Sequence, residues 1–176
     1  MSRLVILVTL STALVSTAQS QDLPRTEDVS SIAGVMKAYY EVVSAPANHP
    51  KQWARDRSLH HPEAQVVIIG QDQDGEPQIN VMTLAEYHGP GDGSSATGFF
   101  EYEVNRVVQK HGKNVHVWST YEWKQEENGS VGGRGVNSIQ MVHDGSRYWI
   151  TSWLFDGRSA APPVEEAYLP EDRWEN

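Results

Sequence analysis

The sequence predicts an α+β domain in which a few helices cover a curved antiparallel sheet. In the first half, apolar residues recur at the helical steps of three and four. The second half is made of four long strand-like runs joined by short turns. The chain also has 176 residues and no cysteine, so an apolar core rather than disulfides has to hold it together.

Residues 1–20 open with Arg3, continue through the apolar run Leu4-Val5-Ile6-Leu7-Val8 to Leu14 and Val15, and leave through Ala18 and Ser20. This basic start, short apolar centre and small-residue exit read as a secretory signal, cleaved near Ala18 or Ser20. The run is shorter than the ~20 apolar residues that span a bilayer. The expected organisation is a signal at 1–20, one domain at 21–158 and a tail at 159–176, with an exported, secreted or periplasmic product.

After Thr26, Glu27 and Asp28, which suit a helix N-terminus, Ile32, Val35, Met36, Tyr39, Val42 and Val43 make an amphipathic helix. Pro50 opens a second helix with Trp53, Arg57 and His60 on one face, and Pro62 closes it. The β-branched run 66–69 and a partner near 78–81, linked at Asp74-Gly75, form a hairpin. Thr83 with Glu86 is a capping box for a short helix ended by Gly89. The runs 99–108, 115–124, 135–142 and 148–155 then pair antiparallel in order, and the tail with Pro162, Pro163 and Pro170 is too broken for a long element.

A net charge of −9 without a Lys/Arg cluster argues against nucleic acid and anionic membranes, since the leading electrostatic effect would be repulsion. A small molecule or another protein, including a second copy as a homodimer, is the expected partner. His60 and His61, with His88, His111, His116 and His143 as further nitrogen donors, lack the spacing of a metal site, and the Gly89 and Gly129–Gly135 groups lack a Lys-Ser/Thr pair before a helix. No metal and no cofactor is expected.

The helix VMKAYYEVV, the stretch QWARDRSLHHPEAQVVI and the terminal hairpin GVNSIQMVHDGSRYWITSWLF, in that order, resemble the nuclear transport factor 2-like superfamily with its SnoaL-like proteins. The resemblance implies a cone, a strongly bent sheet around a pocket closed by the N-terminal helices (an NTF2-like or cystatin-like roll). It places Asn137, Ile139, Met141, Trp149, Thr151, Trp153 and Phe155 on the interior. Tyr39 matches the pocket tyrosine of ketosteroid isomerases and Asn137 falls near their oxyanion-stabilising acid. Their general base aligns with about Ile68, which cannot carry a proton, so isomerisation of steroids is disfavoured.

The expected site therefore comprises His116, Tyr39 and Asn137 as candidate catalytic groups. Trp53, Tyr102, Trp118, Ile139, Met141, Trp149, Trp153 and Phe155 are the candidate ligand-binding residues. His116 is an acid or base only if it faces the cone. Asp56 and Arg57 read as a surface pair, and Glu101 and Glu103 as a solvated strand face between Phe100 and Tyr102. Three functions stay open: a binder of an amphipathic small molecule, a cofactor-independent lyase, isomerase or cyclase, and a dimeric interaction module with a vestigial pocket.

Overall fold

The computed structural model describes residues 23–158 and 162–170, so the signal-like segment 1–20 and the end of the tail lie outside the described residues. The first helical stretch is divided. α1 (Thr26–Val29) is a single turn, and α2 (Ile32–Val43) restarts at Ser31, whose extended backbone lets its Oγ accept the Gly34 N–H at 3.0 Å. α2 buries Val35, Met36, Tyr39, Tyr40, Val42 and Val43.

α3 (Trp53–Leu59) turns a different face inward from the one its spacing predicts. Arg55, Asp56 and Leu59 are buried while Arg57 is exposed, and His60 already belongs to β1 (His60–Gln71). The cause is ionic. Arg55 donates two bonds of 2.7 Å to the buried Asp28 carboxylate and also reaches Glu41 at 2.8 Å, which rotates the helix about that pair. β1 pairs with β2 (Pro77–Thr83) across a turn in which Asp72 Oδ1 accepts the N–H groups of Asp74 and Glu76, both at 2.9 Å. α4 (Leu84–His88) carries its capping box: Thr83 Oγ1 accepts the Glu86 N–H and the Glu86 carboxylate accepts the Thr83 N–H.

β3 (Phe100–His111), β4 (Asn114–Lys124), β5 (Gly133–His143) and β6 (Tyr148–Asp156) follow as an antiparallel meander. The sheet order is β2-β1-β6-β5-β4-β3, because β6 also runs parallel to β1, with Val66 opposite Trp153. This curved six-stranded sheet wraps α2. Val115 and Val117 of β4, Ile139 and Met141 of β5 and Ile150 and Trp153 of β6 form its core against Met36, Tyr39 and Val42.

The register shifts on β6. Gln140 faces Ser152 but Met141 faces Ile150, so Thr151 is an extra residue and the side-chain parity reverses around it. Tyr148 and Ile150 point inward before this bulge, and Trp153 and Phe155 point inward after it. Trp149 and Thr151, expected inside, are therefore outside. Trp149 Nε1 donates to Asp144 at 2.7 Å with Arg147 3.6 Å above its ring, and Thr151 Oγ1 donates to the Gln140 carbonyl at 3.2 Å. The described part of the tail packs on the sheet, where the Tyr168 carbonyl accepts Thr120 Oγ1 at 2.6 Å and Asn105 Nδ2 at 2.9 Å.

Candidate functional site

Inside the curve of the sheet lies a cavity of about 850 Å³. α2 contributes Tyr39 and Val43, α4 contributes Tyr87, and the strands contribute Glu101, Tyr121, Trp123, Asn137, Trp153 and Phe155. Residues of the tail, among them Pro162, Pro163 and Leu169, form part of its rim. One wall is a run of rings. Trp153 meets Tyr39 edge-on at 5.9 Å and Tyr87 edge-on at 4.9 Å, and stacks on Phe155 at 5.7 Å. On the other side Phe99 stacks on Trp123 at 6.1 Å. Glycines make room for these rings: a Cβ on Gly135, directly opposite Tyr121, would lie 2.4 Å from the tyrosine hydroxyl, and one on Gly132 would lie 2.3 Å from Trp123.

Among the charged groups of this lining, two guanidiniums are already neutralised. Arg158 is held on the Asp156 carboxylate and Arg134 donates to Glu122 at 2.7 Å. Glu101 differs. Its backbone N–H donates to Ser44 Oγ at 3.0 Å, but its carboxyl makes no hydrogen bond or ion pair among the described residues. Burial pushes its pKa up to about 8, and the partly buried Lys51 ammonium offsets only a little of that.

Asn137, only 3 % exposed, begins a chain of hydrogen bonds. Its Nδ2 lies 3.3 Å from the Tyr40 hydroxyl, which is 2.7 Å from Ser119 Oγ, which donates to Glu103 at 2.6 Å. The carboxylate end fixes every direction. Ser119 gives its proton to Glu103 and so accepts from Tyr40, and Tyr40 in turn accepts from the amide. Asn137 thus spends an N–H on the helix and keeps its carbonyl oxygen unused. Burial raises the pKa of Tyr39, Tyr40, Tyr87 and Tyr121, with the Glu101 charge as a second cause, so all four hydroxyls keep their protons.

Behind this wall sits a second buried cluster. Asp56 accepts from His88 Nε2 at 2.6 Å, and His60 Nδ1 is shared between the Asp56 carbonyl at 2.9 Å and its carboxylate at 3.3 Å. Burial alone would raise the Asp56 pKa, but the two imidazoles outweigh it and hold it at about 2. Trp53 stacks on His88 at 4.2 Å and Tyr39 lies 6.4 Å from His60, so the cluster braces the cavity wall from behind.

The architecture matches solved structures. No protein-family model matches the chain, and no curated protein does. A protein of unknown function with a cystatin-like fold from Nostoc punctiforme is similar over 74 % of this chain and 91 % of that one, at a TM-score of 0.52 and 9 % identity. An NTF2-like superfamily protein from Salmonella enterica is similar over 74 % and 87 %, at 0.50 and 10 %. The fold is NTF2-like.

Within this NTF2-like fold, Tyr39, Asn137, Trp153 and Phe155 share this cavity. Ile139 and Met141 face the same way but are buried in the core and are not among its lining residues. Five expected residues lie elsewhere. His116 and Trp118 project from the opposite face of β4, since Val115, Val117, Ser119 and Tyr121 take the inward parity; His116 is 3.1 Å from Ser138 Oγ and Trp118 packs on Tyr168. Tyr102 is 38 % exposed on the outer face of β3. Trp149 is turned out by the bulge, and Trp53 lies behind the wall on His88. Asp56 is not half of a surface pair with Arg57, being 2 % exposed against two imidazoles.

Glu101 is the residue that sequence reasoning set aside. The aromatic parity of β3 pointed to Phe100 and Tyr102 as the inner set. The usable sign lay on the neighbouring strand: Val115, Val117, Tyr121 and Trp123 share one parity, and Glu101 pairs with Trp123.

Proposed function

We propose that this is an exported protein that binds an amphipathic small molecule inside the curved sheet. The observation that carries the reading is the cavity itself. At about 850 Å³ it falls in the range that holds drug-sized ligands, and it combines aromatic walls with a few convergent polar groups. Export rests on the basic, apolar and small-residue succession of residues 1–20. Native mass spectrometry of protein purified from its own host tests the binding reading. An organic ligand retained by the monomer or dimer is the expected result, and a homodimer with an empty cavity would instead favour an interaction module.

One observation favours a second reading, cofactor-independent acid/base catalysis of the lyase, isomerase or cyclase kind. Glu101, with a pKa of about 8, is poised to exchange a proton near neutral pH beside Tyr39 and Asn137. His116, on the outer face, takes no part. Incubating the complex in heavy water distinguishes the readings: a ligand that gains mass at a carbon position only with intact Glu101 is a substrate, and one that gains none is cargo.

A further inference from the structure

We infer that the occupant of the cavity carries a protonated nitrogen, an organic ammonium bearing an aromatic or other flat apolar group, and that this nitrogen seats against Glu101. The inference rests on the binding function proposed above and narrows it to a ligand class.

Charge is the first ground. Of the carboxylates and guanidiniums that line the cavity, Arg134 and Arg158 already hold carboxylate partners, and Asp156 holds Arg158. Glu101 alone has a carboxyl without a hydrogen bond or ion pair among the described residues; the Lys51 ammonium, 4.9 Å over the Phe99 ring, acts on it only at a distance and offsets little of the cost of its charge. A partly buried carboxyl against these aromatic walls is costly to ionise, and its pKa of about 8 expresses that cost. The group that relieves it is a cation supplied by the ligand.

The walls are the second ground. Tyr39, Tyr87, Tyr121, Trp123 and Trp153 turn aromatic rings to the space that Glu101 borders. Ring faces attract cations and repel anions, and dry aromatic surroundings strengthen the attraction. All three cavity tyrosines keep their protons, so none adds a competing negative charge.

The third ground is the amide. The chain from Asn137 through Tyr40 and Ser119 to Glu103 consumes donors in one direction and leaves the Asn137 carbonyl oxygen as a spare acceptor. With Glu101 the cavity then offers two acceptors, which suits an N–H-bearing ligand. A carboxylate ligand would meet Glu101 as a like charge. The net charge of −9 adds a general field of the same preference.

Three probes that share ring and chain length test the claim by titration calorimetry on the mature protein: 2-phenylethylamine, 2-phenylethanol and phenylacetate. The amine is expected to bind at least about tenfold tighter than the alcohol, with phenylacetate weakest. Because Glu101 must give up its proton to pair with the cation, binding at pH 7 releases nearly one proton. The proton is read from the dependence of the heat on buffer ionisation enthalpy. Affinity for the amine rises about tenfold per pH unit from 6 to 8 and then levels off.

Glu101→Gln removes both the amine preference and the proton release. If that variant does not fold, the proton release of the unaltered protein still decides. An alcohol or phenylacetate that binds as tightly as the amine, or amine binding without proton release, overturns the ammonium assignment and leaves the pocket reading standing. No binding of any probe at millimolar concentration overturns both.

Discussion

Glu101, partly buried, and Asp56, fully buried, are carboxyls that the fold drives in opposite directions. Glu101 is raised from 4.5 to about 8, so folding holds its proton, and stability contributed by this group is lost as pH climbs from 4.5 to 8. Asp56 is lowered from 3.8 to about 2, so its contribution is complete above pH 4 and lost as pH falls toward 2. Glu101→Gln is therefore expected to raise the melting temperature at pH 8.5, by the equivalent of ~4 kcal/mol, and to leave it unchanged at pH 4. Asp56→Asn does the reverse, costing ~2 kcal/mol at neutral pH and flattening the acid limb of the stability profile. Thermal melts across pH 2–9 check both; a Glu101→Gln variant less stable than the parent at pH 8.5 would mean that the carboxylate is compensated. At Asn137 the expectation separates binding from folding. Asn137→Leu removes one donor to Tyr40, whose own proton still reaches Ser119, so stability falls by only ~1 kcal/mol while ligand affinity drops. Trp153→Ala instead empties a core position that three rings touch, at ~3–5 kcal/mol by denaturant titration.

Strand parity decides which of these residues reach the cavity, and one residue of slip is enough to exchange the faces. Alternation places Asn137, Trp153 and Phe155 correctly because the stretches that hold them are regular. It fails at Trp149 because nothing in the sequence marks Thr151 as the extra residue of a bulge; the register shift exists only in the pairing of β5 with β6. For His116 the rival evidence was present in Val115 and Val117, but a histidine between β-branched residues reads equally well as buried or as solvated. α3 shows the limit for helices. Its periodicity is too short to choose a face, and the choice is made by Asp28, on another element, through Arg55. Most elements and their order, by contrast, were legible, since the capping box, the Asp-Gly turn and the strand lengths are all local; the break before Ser31 and the start of β1 at His60 were not. β5 also carries a requirement the sequence shows only as glycine. Gly135→Ala puts a methyl into the Tyr121 hydroxyl, and the expected cost is ~1–3 kcal/mol with a smaller cavity. Melting the variant and titrating it with the probe amine measures both effects together.

At the scale of the whole molecule, the net charge of −9, the signal-like N-terminus and the absence of cysteine suit an exported protein that keeps its shape by its core. N-terminal sequencing of material recovered outside the cytoplasm is expected to begin close to Gln19 or Gln21, and an unprocessed Met1 in the cytoplasm would end that reading. A chelator is expected to leave the melting temperature unchanged, because His60 and His88 are committed to Asp56 and His61 is exposed on β1. A fall with EDTA that zinc restores would show a ligand set the described residues do not contain.

The parallel pairing of β1 with β6 also sets the order of assembly. Gln65 finds Ser152 and Ile69 finds Asp156 only after the four strands between them have been made. Closing so long a loop is slow, and meanwhile the β1–β2 hairpin has no other strand to pair with, only the short helices α3 and α4 against it. A chain stopped at His143 is thus expected to exchange the amide protons of β1 and β2 freely, and the complete chain to protect them in the same kinetic phase in which β6 docks. Whatever enters the cavity then meets a wall that closes last, at Trp153, so the folding clock of this protein is also the clock of its pocket.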